Sequence, residues 1–335
     1  MKIQNKFLIV IFYIYMLSGC SNQEHPLMES HGVIQIEKEK ISMIWSKDNI
    51  YTVWSTFGST INASNNMICF LGGVDSSTDN EVVCMNSMNG EILWQKFSGI
   101  HRSIAVTPNA IFIIYSSSAG VRKYNLSGEI VWSKYLDGTG ASYLYIVDDQ
   151  LQILAVPEKF WVLGLDGSEI KKISGNKIFI STSEGNFVES NGIELLKANN
   201  KEVIWQYDNL GDVLEMAPLF TEAKVFIRTG QESGRVVSLD RKNGDFFWKT
   251  EANIISNVVY SPSKNVIYAL THNGDLLAIN ENSGHADIIA KFSLVPFILN
   301  GEANVGSYQL AYDLNKNILF VSLGDSRQLF AFKEQ

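Results

Sequence analysis

The sequence predicts an all-β chain folded as a β-propeller of four-stranded blades, and three observations carry that expectation. A short phrase recurs: NGEILW at 89–94 returns as SGEIVW at 127–132, NKEVIW at 200–205 and NGDFFW at 243–248. The likeness extends upstream of each copy. NEVVCMNSMNGEILW (80–94), AGVRKYNLSGEIVW (119–132), KFWVLGLDGSEIKK (159–172), NGIELLKANNKEVIW (191–205), GRVVSLDRKNGDFFW (234–248) and GDLLAINENSGHADII (274–289) share one plan of apolar strand, polar turn and second apolar strand. Counted from Trp94, equivalent positions fall at Trp132, Lys172, Trp205 and Trp248, steps of 38, 40, 33 and 43 residues, a period near forty that marks repeated four-stranded units. Past the N-terminal apolar run, no stretch shows a sustained helical stripe.

The other half of each unit is legible as well. TPNAIFIIYSS (107–117), APLFTEAKVFIRT (217–229), YSPSKNVIYALTHNG (260–274) and YDLNKNILFVSLGD (312–325) place polar turn residues before a β-branched or aromatic strand. Pro108, Pro218 and Pro262 sit at strand starts or turns, where a missing N–H is tolerated. Asn273-Gly274 predicts a two-residue hairpin turn between VIYAL and DLLAI. Blades so arranged close radially. Seven first-strand copies follow residue 80, and the last, RQLFAFKEQ (327–335), lacks its outer partner; ISMIW (41–45) has the character of that missing strand, displaced to the N-terminus to close the ring. The expected count is seven blades, or eight if GVIQIEKEK (32–40) opens a blade of its own.

The N-terminus is set apart from the fold. Lys2 and Lys6 precede the apolar run FLIVIFYIYM, shorter than a membrane span, and LSGC follows at 17–20. LSGC resembles the lipobox of bacterial lipoproteins, which implies a signal peptide over 1–19, lipid attachment at Cys20, a tether over 20–40 and a propeller over 41–335. In that resemblance Ser21 implies transfer to the outer membrane if the cell has two membranes, with the folded part on the periplasmic side. The chain carries a formal charge of −8, and loss of 1–19 removes two lysines and no acid. An acidic chain without a basic stripe argues against nucleic acid and against charge-driven lipid binding.

APLFTEAKVFIRTGQESGRVVSLDRKNGDFFW (217–248) displays the repeat most fully and resembles the repeat of PQQ-type β-propellers, a family that includes quinoprotein dehydrogenases and BamB-type outer-membrane assembly lipoproteins. The resemblance covers roughly 41–335 and, joined to the lipobox, is closest to the BamB-type lipoproteins. It implies a fold more firmly than an activity, since unrelated functions share the architecture. A quinoprotein enzyme of that family would require eight blades, adjacent cysteines beside the quinone, and acidic and amide ligands for calcium. Adjacent cysteines are missing here, so no cofactor is expected.

Each candidate residue also has a structural reading. Trp45, Trp94, Trp132, Trp205 and Trp248 could offer stacking platforms to a ligand; a ring repeated once per unit is better suited to docking one blade on the next, with Lys172 replacing it in one copy. Cys69 and Cys84 could pair in an oxidising compartment or serve as small buried residues. Overlaying MICFLGG on VIYALTH sets Cys84 opposite Phe70 and Cys69 on the other face, which argues against pairing unless the register slips. Asp313-Leu-Asn315-Lys-Asn317 opens like a calcium loop but continues as a strand turn, and Gly138-Thr-Gly140 has no helix behind it. Histidines 25, 31, 101, 272 and 285 lack metal spacing, and no catalytic constellation is nominated. The reading taken forward is a non-enzymatic, lipid-anchored scaffold, monomeric outside its complex, whose partners are membrane or periplasmic proteins. Its alternatives are a propeller binding a small molecule or glycan in its central funnel and a PQQ-type quinoprotein.

Overall fold

The computed structural model describes residues 33–335 except 38, 53–58, 75–80, 98, 100, 116–119, 137–140, 156–158, 175–176, 183–184, 190–192, 197–201, 209–217, 230–233, 295–296, 300–301, 305–307 and 325. The signal segment, Cys20, His25, His31 and Gly138–Gly140 lie outside the described residues. The rest is an all-β propeller. Six blades are each built from four consecutive antiparallel strands. Blade 1 runs Ile61–Ser64, Met67–Val74, Glu81–Asn86 and Ile92–Phe97; blade 2 runs His101–Val106, Ile111–Tyr115, Gly120–Tyr124 and Ile130–Tyr135. Blade 3 takes Ala141–Val147, Gln150–Ala155, Lys159–Gly164 and Glu169–Ser174, and blade 4 takes Lys177–Ser181, Asn186–Glu189, Ile193–Leu196 and Val203–Tyr207. Blade 5 is Leu219–Phe220, Lys224–Thr229, Arg235–Asp240 and Phe246–Lys249; blade 6 is Val259–Ser261, Val266–Leu270, Asp275–Asn280 and Ala286–Phe292.

A further sheet is composite. Tyr308–Asp313, Ile318–Leu323 and Gln328–Glu334 come from the C-terminal end, and Ile41–Asp48 adds to the last of them, pairing from Ile41 with Glu334 to Asp48 with Gln328. The expected count of seven blades is corrected to six, because the remaining sheet is not a run of four consecutive strands but joins three C-terminal strands to one from the N-terminal end. GVIQIEKEK opens no eighth blade: Val33–Ile36 pairs instead with the outer strand of blade 6.

Middle strands such as IFIIY in blade 2 are apolar throughout because both faces are buried. Ile111, Ile113 and Tyr115 join Cys69 and Cys84 of blade 1 in one cluster, while Phe112 and Ile114 join Leu144 and Trp161 of blade 3 in another. The same alternation continues round the molecule. Phe160 meets Val188, Phe187 meets Val225, Phe226 meets Ile267, Phe292 meets Phe330, and Phe320 with Ala331 meets Ile61 and Phe70 of blade 1. Each fully buried aromatic or aliphatic side chain contributes roughly 1.5–3 kcal/mol, so these clusters hold the sheets face to face.

Turn geometry corrects one expectation. The turn after VIYAL is a three-residue loop: the Gly274 N–H donates to the Thr271 carbonyl, only Gly274 of the pair takes positive φ (82°), and Tyr268 rather than Ala269 faces Ala278. One residue of slip exchanges the two faces of a strand. Carried into blade 1, it sets Cys69 directly across from Cys84 instead of Phe70 across from Cys84.

Candidate functional site at the ring axis and the outer rim

All five predicted tryptophans lie between sheets, and each repeats one arrangement. The Trp94 indole N–H donates to the Leu126 carbonyl at 2.9 Å, and its ring lies on Gly128 in the SGEIVW turn of the next blade. Trp132 reaches the Leu165 carbonyl at 3.4 Å over Gly167, Trp205 reaches Arg241 at 3.1 Å over Gly244, and Trp248 reaches Glu281 at 2.9 Å over Gly284. Trp45, on the N-terminal strand, donates to Ser87 at 2.9 Å over Gly90. The turn glycine therefore does two jobs. Its positive φ, 71° at Gly90 and 79° at Gly128, closes the hairpin, and its missing Cβ leaves room for the preceding sheet's indole. A Cβ at Gly128 would lie 2.7 Å from Trp94 Cδ2.

Sequence reasoning missed a second part of the clamp. Lys47, Lys96 and Lys134 stand two residues after Trp45, Trp94 and Trp132, and their Nζ atoms donate to the carbonyls of Gly90, Gly128 and Gly167. The Trp-x-Lys spacing was the available signal. The copy without tryptophan also needs correction. With Ser168 between Gly167 and Glu169, it is Lys171 that lies opposite Val162, the place that Trp94 takes opposite Cys84, while Lys172 stands 4.3 Å above the Trp161 ring of its own blade.

Outer strands of blades 3 and 6 hold no tryptophan, and at those two seams a side-chain amide clasps the next sheet's inner strand. Gln152, 1% exposed, donates to the Ser181 carbonyl at 2.6 Å and accepts the Ser181 N–H at 2.9 Å. Asn257 donates to the Leu310 carbonyl at 2.8 Å and accepts its N–H at 2.6 Å. Two bonds from one planar amide fix both distance and orientation.

Cys69 and Cys84 are joined as a disulfide, fully buried in the blade 1–blade 2 cluster. Asp313, at the start of the sequence that opens like a calcium loop, is fully buried; its carboxylate accepts the N–H groups of Asn315 and Asn66 and the Ser87 hydroxyl, tying the composite sheet to blade 1. Among the described residues, no group of three His, Cys, Asp or Glu side chains could hold a metal ion.

Inner strands surround two adjoining axial cavities of about 390 and 540 Å³, both bordered by Ser59, Asn62, Tyr145 and Phe220. The first is largely apolar, with Leu219, Val259 and Leu310 in its wall, and one buried cation: Arg228 donates through Nε and Nη2 to the Ile254 carbonyl at 3.2 and 3.1 Å. Burial, and then the Arg228 charge, holds the His272 pKa below its ordinary value. The second cavity meets Asp148, Glu222 and Arg241, and Arg241 donates to the Thr221 carbonyl at 3.1 Å. Such a space could hold a small ligand by stacking and a few hydrogen bonds.

The outer rim is built differently. Every blade's outer strand carries one bulge, and in blades 1, 2, 4 and 5 it turns consecutive apolar residues outward: Ile92 with Leu93, Ile130 with Val131, Val203 with Ile204, Phe246 with Phe247. A bulge interrupts the ladder that an exposed edge offers to other chains. Beyond it the edge continues and ends in blades 1 and 2 at Phe97 and Tyr135, 73% and 67% exposed. Tyr135 meets Tyr115 edge-on at 5.7 Å, and the Arg122 guanidinium lies 4.0 Å over the Tyr115 ring.

Comparison with known proteins gives a consistent result. A family model described as "Outer membrane protein assembly factor BamB" matches residues 158–291. A protein of Yersinia pestis with that same description is 20% identical over 299 residues, covering 84% of this chain and 70% of its own. Among solved structures, BamB from Moraxella catarrhalis superposes with a TM-score of 0.51 at 11% identity, covering 88% of this chain and 99% of its own. The WD40 β-propeller domain of Doa1 gives 0.61 at 11% identity over 91% and 98%, and a chain of the mitotic checkpoint complex gives 0.64 at 10% over 88% and 94%. At such identities the structural likenesses establish the propeller fold alone. The repeated turn phrase, the family model and the Yersinia relative together make this chain similar to PQQ-like β-propellers of the BamB type.

Proposed function

We propose that this protein is a non-enzymatic, lipid-anchored scaffold on the periplasmic side of an outer membrane, offering its rim to proteins of outer-membrane protein assembly. The observation that carries the reading is the rim itself. Outer strands of blades 1 to 5 pair on one side only among the described residues, whereas that of blade 6 already holds an added strand, Val33–Ile36. An edge that accepts one extended segment is chemically equipped to accept another. The name carried by the Yersinia relative supports the setting. Cleavage after residue 19 and acylation of Cys20 supply the anchor in this reading, and docking through the five tryptophans keeps the rim rigid. In this reading the pairing of Ile41–Asp48 with Gln328–Glu334 closes the propeller.

The experiment is co-purification from gently solubilised membranes followed by mass spectrometry of the bound proteins. Recovery of an outer-membrane assembly complex is expected; recovery of no membrane complex removes the reading. Cys20→Ala should release the protein from the membrane fraction, and persistence there would end the anchor assignment.

A second reading rests on the axial cavities and their buried Arg228: a small-molecule or glycan ligand in the funnel. Its mostly apolar wall and an arginine bound to a backbone carbonyl favour the scaffold instead. Loading with PQQ and calcium is expected to give no dye-linked oxidation of alcohols or sugars, and oxidation would reverse that preference.

A further inference from the structure

The two tryptophan-free outer strands differ in where the bulge falls and in what covers them. In blade 6 the bulge is followed by Ala290 opposite Leu276 and Lys291 opposite Asp275. On this stretch the N-terminal strand is laid down, with Ile36 beside Ala290, Gln35 beside Lys291 and Val33 beside Phe292, and with the Glu37 N–H donating to the Ile289 carbonyl at 2.8 Å. In blade 3 the bulge is followed by Lys171 opposite Val162 and Lys172 opposite Trp161. Counted from the turn by partner residue, Ile173 opposite Phe160 and Ser174 opposite Lys159 take the places of Ala290 opposite Leu276 and Lys291 opposite Asp275, and Lys171 and Lys172 lie directly before them. Among the described residues this outer strand pairs only with Lys159–Gly164.

We infer that the outer edge of blade 3 over Lys171–Ser174 is a docking site for an extended, acidic segment of a partner protein, added as a fifth strand in the way Val33–Ile36 is added to blade 6. Backbone N–H and C=O groups supply the binding and side chains set the selectivity. Equivalent stretches in the tryptophan-bearing strands are Trp94-Gln95, Trp132-Ser133, Trp205-Gln206 and Trp248-Lys249, where an indole already lies on the next blade's turn. Blade 3 alone offers two consecutive lysines there, with Lys159 across from Ser174 at the end of the same stretch. On this strand and its turn the acids are Glu169 and Asp166, both before the bulge. On a chain of net charge −8 this edge is a local cationic interval, which selects an acidic strand and disfavours a basic one.

The proposal depends on the scaffold reading for its biological setting only, and its test is independent of it. The probe is a fluorescein-labelled heptapeptide of alternating valine and glutamate, titrated into the detergent-solubilised full chain with fluorescence anisotropy as readout. Saturable binding is expected. It should weaken at least about tenfold in K171E/K172E, in K171Q/K172Q, with a valine–lysine heptapeptide, and when the central residue is replaced by proline, which has no N–H to donate. Circular dichroism checks folding; should charge reversal disturb the blade, K171Q/K172Q carries the comparison. No binding at about 1 mM peptide, or equal affinity in both variants, overturns the proposal. If co-purification succeeds while the peptide ignores this edge, the scaffold stands and its partner docks elsewhere; if the peptide binds and no membrane complex is recovered, the edge stands and the setting is wrong.

Discussion

Replacing Trp248 with alanine tests the inter-sheet clamp most directly. Its side chain is 7% exposed, its indole donates to Glu281, and its ring centroid lies 5.8 Å from that of Phe226. Truncating a buried tryptophan costs about 3–5 kcal/mol. A ring this enclosed, with its hydrogen bond formed, belongs near 4 kcal/mol. At about 2–4 °C per kcal/mol for a large domain, the thermal midpoint should fall by roughly 10 °C. Trp132 is half-buried with a longer 3.4 Å bond, so Trp132→Ala should cost about 2 kcal/mol and half that shift. The turn glycine supplies the second arm. A Cβ at Gly284 would lie 2.6 Å from Trp248 Cδ2 on a residue with φ 71°. Gly284→Ala should therefore be severe in the native background, but in W248A only the left-handed backbone remains to oppose it, at about 1 kcal/mol. The double-mutant cycle should show a coupling of at least about 1 kcal/mol, read from thermal midpoints at one fixed scan rate. A midpoint within about 2 °C of wild type for W248A, or additive effects in the double variant, would refute the clamp.

Gln152→Ala should destabilise by about 2–4 kcal/mol because it removes two hydrogen bonds and leaves the Ser181 backbone without that amide; hydrogen exchange should rise selectively at the blade 3–blade 4 seam. Mass spectrometry without reductant should find a linked Cys69–Cys84 peptide, and a double Cys→Ala variant should lose about 3 kcal/mol, the amount expected for a 15-residue loop. Alkaline stability should decline from pH 10 upward. Burial, then the hydrogen bond to Glu334, raises the Tyr268 pKa, and burial first of all pushes Tyr312 up to about 12. Both groups have folded pKa values above the unfolded value near 10, so the folded state holds more protons in that window. Stability is then full below pH 10 and is lost as pH rises towards 12 and beyond. Tyr268→Phe should lower stability at pH 7 through loss of its 2.6 Å bond to Glu334 and flatten the alkaline decline; an unchanged slope would contradict the assignment.

Much of the fold was legible because its information is periodic. A strand-turn-strand phrase repeated at near-forty spacing implies one supersecondary unit, and its recurrent tryptophan implies one recurrent interface. The N-terminal strand was legible from what the C-terminal half lacked. Registers were less accessible. Asn273-Gly274 suits a two-residue turn, yet a three-residue loop forms, and that single step decides whether Cys84 faces Phe70 or Cys69. In blade 3, Ser168 between Gly167 and Glu169 sets Glu169 in the place that Ile130 takes in blade 2, so the tryptophan position falls on Lys171 and not on Lys172. One added residue in a turn leaves the Glu-Ile phrase intact while shifting its register, so pattern alone does not reveal it.

By itself the sequence determined the class of fold, its repeated unit, the docking role open to Trp94 and its counterparts, and the absence of a basic stripe, since all of these follow from composition and spacing along the chain. Tertiary structure alone decided which carbonyl each indole meets, that each turn glycine is a seat for the preceding sheet's ring, and that amide clasps stand at the two seams without tryptophan. It also decided that residues 33–36 cover one outer edge while another, lysine-bearing edge holds no added strand among the described residues. The physical reason is that these contacts join residues some thirty to two hundred and fifty positions apart, where register and sheet order, rather than local propensity, bring donor to acceptor.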